Sequence, residues 1–143
     1  MDHRLMAYLY FFNVKRDYFE CHEYGEHLWL ERGRPPVLKG LIQAAVTLYH
    51  LHRGNVRGGY QMWQRAKGYL EEGRPVYEGI DVEALVFAID QVYKAVPAEW
   101  YTERVSSAQI AKLGLPTVRV HILDDEICRR LPTYVPQHLG EPS

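Results

Sequence analysis

The chain of 143 residues holds two cysteines, Cys21 and Cys128, and they form no Cys-x-x-Cys pair. That excludes a disulfide framework, and it points to a reducing compartment. A basic excess is also missing. Lys and Arg total 17 against 18 Asp and Glu, divided 12 and 12 over residues 1–97 and 5 and 6 over residues 98–143. Nucleic-acid binding draws its affinity from neutralising phosphates, so this balance argues against nucleic acid as a partner. No apolar run approaches the length of a membrane span, and the stretch from Leu5 to Phe12 is too short and too Tyr-rich for a signal peptide. The expectation is a cytoplasmic protein with no membrane contact. The chain has no Gly-x-Gly-x-x-Gly after a strand, no phosphate-binding P-loop and no Gly-x-Ser-x-Gly elbow.

What it has is apolar and aromatic content: 47% hydrophobic residues, eleven Tyr and three Trp, enough for a core edged with polar tips. Periodicity predicts an all-α compact bundle of about five helices over residues 1–97. The first runs from about Arg4 to Phe12 and is broken by Asn13. Asp17, with Glu20 three residues on, opens the second as a capping box, and Gly33, Pro35 and Pro36 stop it. The third, from about Val37 to Arg53, is apolar nearly all round and so belongs at the centre. Asn55 caps the fourth, Val56 to about Glu72, in which Gly58-Gly59 marks a close helix approach. The fifth starts at Asp81, carries a stripe from Val82 to Val96, and closes at Pro97.

Residues 98–143 read as a less regular C-terminal extension that packs on the bundle or on a partner. Ser106 with Gln109 caps a short helix, Thr117–Ile122 alternates as a strand does, and Asp124–Leu131 suits a last turn or two. Pro132, Pro136 and Pro142 punctuate the end. A homodimer or a protein partner held through this extension is the expectation for assembly.

The second helix carries the chemistry. At 100° per residue Tyr18, Cys21, Gly25, Leu28 and Trp29 share one face, with His22 in its middle and Glu26 at its border. Glu23 and His27 form a second pair turned towards water. Gln43 and His50 lie on one stripe of the third helix, and His52 on another. Carboxylates among aromatics are costly unless they are paired, hydrogen-bonded or bound to metal. Two readings follow. In one, His22, Glu26 and His50 hold a divalent metal ion and Glu23 is the general base of a hydrolase. In the other, His22 bonds Glu26 or Gln43, and Tyr18, Trp29 and Gln43 complete a pocket or a structural network in an interaction or scaffold module. His22-Glu23-x-x-Glu26 departs from the zinc-protease pattern His-Glu-x-x-His, and the Glu-x-x-His of di-iron bundles is absent. Cys21, on the apolar face without a basic neighbour, reads as an inert core thiol.

Phe12-Asn13, the run Asp17 to Glu23, Glu26, Trp29, Gly40 to Ala45, His50 and Gly54-Asn55 resemble, in order and spacing, the prokaryotic family called domain of unknown function 309. The resemblance spans about residues 5–95. It implies an all-helical fold and a cytoplasmic prokaryotic protein, and it implies no activity. Gly25 stands where that family usually has Leu, which predicts a looser second helix or a closer partner. Residues 98–143 extend beyond the family core.

Overall fold

A computed structural model describes residues 1–139; Pro142 and the last positions of the extension lie outside the described residues. Seven α-helices occur among them: α1 His3–Tyr10, α2 Tyr18–Glu31, α3 Pro36–His52, α4 Val56–Leu70, α5 Val82–Lys94, α6 Ser107–Lys112 and α7 Asp125–Arg130. A two-stranded hairpin, β1 Val76–Tyr77 and β2 Ile80–Asp81, precedes α5. The protein is predominantly all-α. None of its described helices is long and apolar enough to cross a membrane.

Local capping sets the helix starts. Asp17 accepts the Glu20 N–H, Asn55 the Gly58 N–H, Asp81 the Ala84 N–H and Ser106 the Gln109 N–H. Each satisfies one of the N–H groups that a helix start leaves free. The reciprocal capping box forms at Ser106–Gln109, whereas at Asp17 only the aspartate half is made.

α3 is the central helix, packed against both α2 and α4, and Leu38, Leu41, Ala44, Ala45, Leu48 and Leu51 on it are buried. Glycines let its neighbours come close. A Cβ at Gly25 of α2 would lie 2.7 Å from Ile42 Cγ1. The missing side chain therefore leaves α2 unbroken and brings α3 in as the close partner. A Cβ at Gly59 of α4 would collide with the Tyr93 hydroxyl and lie 3.0 Å from the Thr47 carbonyl oxygen. There a buried polar knot joins three helices. Thr47 Oγ1 donates to the Gly59 carbonyl at 2.5 Å, and the Tyr93 hydroxyl donates to the Thr47 carbonyl at 3.1 Å.

Asn13 does not break the first helix. The helical path continues through a π-helical turn, Phe11–Lys15, and ends at Arg16 in the left-handed conformation, φ 56°. The physical reason is that the Asn13 amide is engaged elsewhere. It donates to the Val120 carbonyl and accepts the Val120 N–H, both at 2.8 Å. Thr117–Ile122 is correspondingly not a strand of a ladder. Val118, Val120 and Ile122 are buried in alternation, but only Ile122 makes a β-bridge, to Ile80. Val105, Ile110 and Leu131 enter the same buried cluster as the bundle's own side chains.

Gly59→Ala forces Tyr93 off Thr47 or pushes α4 from α3. The expected outcome is a loss of about 1–3 kcal/mol in chemical denaturation. Unchanged stability would show that the α3–α4 contact is not the tight one described.

Candidate functional site

The buried face of α2 is Cys21, Tyr24, Gly25 and Leu28, which puts His22 at its edge and not in its middle. His22, Glu23 and Glu26 are accordingly half-exposed, at 37%, 43% and 47%. The three do converge. His22 Nδ1 lies 3.2 Å from Glu23 Oε1, and His22 Nε2 lies 3.1 Å from Glu26 Oε2. Each ring nitrogen thus faces a carboxylate oxygen. Ion pairs this exposed contribute about 0–1 kcal/mol each, so the trio is not there to hold the fold.

His27 does not pair with Glu23. Its Nδ1 lies 3.1 Å from Arg4 Nη1, tying α2 to α1, while Arg4 also pairs with Asp2 and Glu31. Tyr18 stacks on His52, with ring centroids 6.1 Å apart, and meets Phe12 edge-on. Cys21 is fully buried, its Sγ 3.4 Å from the Tyr8 carbonyl oxygen, and burial raises its pKa well above the usual thiol range. It is a core group and not a nucleophile.

Two small hollows of about 220 Å³ each flank His22, and both are also lined by Val46. The first lies between α2 and α3, with His22, Glu26 and Trp29 on one wall and Lys39, Ile42 and Gln43 on the other. Tyr18, Phe19, Tyr49 and His50 line the second. Phe19 and Leu30 stand beside them on α2, exposed at 56% and 49%. His50 is thus one hollow away from Glu26. Among the described residues no group of three His, Cys, Asp or Glu is arranged to hold a metal ion.

Gln43 and Trp29 differ from the charged trio. Gln43 Oε1 and Trp29 Nε1 are both buried, and neither has a hydrogen-bond partner. His22 thus lies against Glu23 and Glu26 and leaves Gln43 out. The indole is held in place by Arg34, whose guanidinium carbon lies 5.5 Å from the ring centroid. Buried polar groups are nearly always satisfied, so two orphans of opposite sense on residues that line one hollow call for an explanation. The sequence singles out both residues. It conceals Lys39, Ile42 and Val46, because an all-round apolar helix does not declare which side its neighbours leave open.

Residues 5–62 match the family model described as Domain of unknown function (DUF309). That stretch is similar to DUF309. The matched stretch contains every residue of the α2–α3 hollows. A relative, the uncharacterized protein YpuF of Bacillus subtilis (strain 168), is 37% identical over 94 residues, covering 62% of this chain. The chain spans about half, 54%, of that relative's length. No solved structure matches the chain significantly.

Proposed function

We propose that this DUF309-like segment is a binding module that holds a polypeptide segment between α2 and α3. The observation that carries this reading is the pair of buried orphans in one hollow: Trp29 Nε1 is a donor and Gln43 Oε1 an acceptor. A peptide amide supplies the matching acceptor and donor in a single group. The apolar wall of Ile42 and Val46, with exposed Phe19 and Leu30 alongside, suits the partner's side chains. The rim sets two carboxylates, Glu23 and Glu26, around one imidazole, and so favours a basic residue in the bound segment. The apolar side chains of the C-terminal extension, such as Val118, Val120 and Ile122, are spent on the chain's own core. The cleft is therefore a better partner surface than the extension.

This reading makes Gln43 a residue whose oxygen does nothing for the free protein. A buried acceptor without a partner costs about 1–3 kcal/mol, and an apolar replacement of similar shape removes that cost. Gln43→Leu is expected to leave the melting temperature unchanged or raise it by about 2–8 °C. A fall in stability of about 1 kcal/mol or more would place Gln43 in an internal network and contradict the proposal.

Metal-dependent hydrolysis is the second reading, favoured by the placing of both carboxylates within 3.2 Å of His22. His22 and Glu26 would supply two ligands, Glu23 the base, and His50 would have to swing across from the neighbouring hollow. That required movement places binding ahead of hydrolysis. Elemental analysis of protein purified without tag or chelator tests it. Substoichiometric metal that His22→Ala does not alter is the expected result. Stoichiometric zinc, manganese or iron lost in His22→Ala would reverse the order of the two readings.

A further inference from the structure

A larger cavity lies away from the α2–α3 site. It is a cleft of about 620 Å³ where the ends of α2 and α3 meet the C-terminal extension, lined by Lys15 to Tyr18, Tyr49, His52, Arg53 and residues 115–118. Its volume lies in the range of small-molecule sites, unlike the hollows beside His22.

Its walls are cationic. Lys15, Arg16 and Arg53 face it, against the single carboxylate of Asp17, and Asp17 Oδ1 already accepts the Glu20 N–H at 3.1 Å. Some basic side chains of the fold meet carboxylates: Arg4 with Asp2 and Glu31, Arg32 with Glu78, Lys67 with Asp90, Arg74 with Glu71 and Glu83. Among the described residues the three cations of the cleft have no such ion pair. Neutral groups hold two of them instead. Arg16 Nη1 donates to the Val118 carbonyl at 2.5 Å, and Arg53 Nη1 donates to the Tyr49 hydroxyl at 2.9 Å. Arg53 also lies over the Tyr49 ring, 5.2 Å from its centroid. Both guanidiniums are thereby oriented with donors left over.

The cleft also offers flat aromatic surface. Tyr18 and His52 lie parallel, 5° between planes. Desolvation lowers the His52 pKa below the ordinary histidine value, so near neutral pH its ring is an uncharged stacking face and not a fourth cation. The backbone pays for the arrangement. The π-helical turn Phe11–Lys15 and the left-handed Arg16 aim Lys15 and Arg16 at the seam, and such turns occur often at functional sites.

We propose that this cleft binds a small phosphorylated molecule with a planar ring, of the mononucleotide class. The phosphate is held by Arg16, Arg53 and Lys15, and the ring lies against Tyr18 and His52. The site shares Tyr18 and Tyr49 with the second hollow beside His22 and lies apart from the hollow of Trp29 and Gln43. A single small anion fits the nearly balanced charge of the whole chain, which a polynucleotide does not.

Calorimetric titration of the full chain with AMP at low salt tests this. Saturable one-to-one binding that weakens with added salt is expected. Adenosine, without phosphate, and inorganic phosphate, without a ring, should each bind about tenfold more weakly than AMP or worse. The double variant Lys15→Gln, Arg53→Gln changes two exposed side chains, so its melting temperature should match the wild type while AMP affinity falls about tenfold or more. No saturation at millimolar AMP, or equal binding by the folded double variant, would overturn the proposal. Phosphate binding as tightly as AMP would overturn the role of the ring. Affinity that climbs with the length of a single-stranded oligonucleotide would overturn the small-molecule class.

Discussion

The fold depends on how closely α2 and α4 approach α3. Thr47 and Ile42 stand where side chains on those neighbours would otherwise be, and Gly25 and Gly59 make room for them. Close approach on both flanks buries most of an all-round apolar helix. It also decides where α3 remains open. Ile42 fills the space at Gly25 and at the same time forms one wall of the hollow beside His22. The contact that joins the two helices and the cleft between them are therefore parts of one packing arrangement.

That arrangement separates two kinds of polar group which share one stretch of chain. His22, Glu23 and Glu26 sit at the edge, half in water, where pairing costs little and stabilises little. Trp29 Nε1 and Gln43 Oε1 sit inside, where lack of a partner costs more than their pairing with each other would return. On the proposed reading the charged trio is a selector at the mouth of the cleft, and the buried pair is its recognition element.

Helix starts were legible because their signals are local: Asp17, Asn55, Asp81 and Ser106 each reach an amide three residues on. The turn after α1 was not, because Asn13 is committed to Val120, 107 residues away. The hairpin at residues 76–81 left only the Glu78-Gly79 turn as a cue, with both residues at positive φ. Helical spacing picked out His22, Glu23, Glu26, Trp29 and Gln43, all of which lie at or beside the α2–α3 hollow. It could not choose partners among them, since a helical wheel shows faces and not the offset between neighbouring helices. Spacing therefore left both Glu26 and Gln43 open as partners of His22, and it drew His50 into a ligand set one hollow away. The cationic cleft was invisible for the same reason at longer range. It needs residues 15–18, 49–53 and 115–118 to meet.

The most direct test of the account is the ¹H–¹⁵N signal of the Trp29 indole during titration with N-methylacetamide, an amide with one acceptor and one donor. The account predicts a saturable downfield shift in the wild type. It predicts a much weaker response to N,N-dimethylacetamide, which has no N–H for Gln43, and loss of that difference in Gln43→Leu. An indole signal that responds to neither amide, or to both alike, would contradict the claim that the α2–α3 cleft is built around a peptide group.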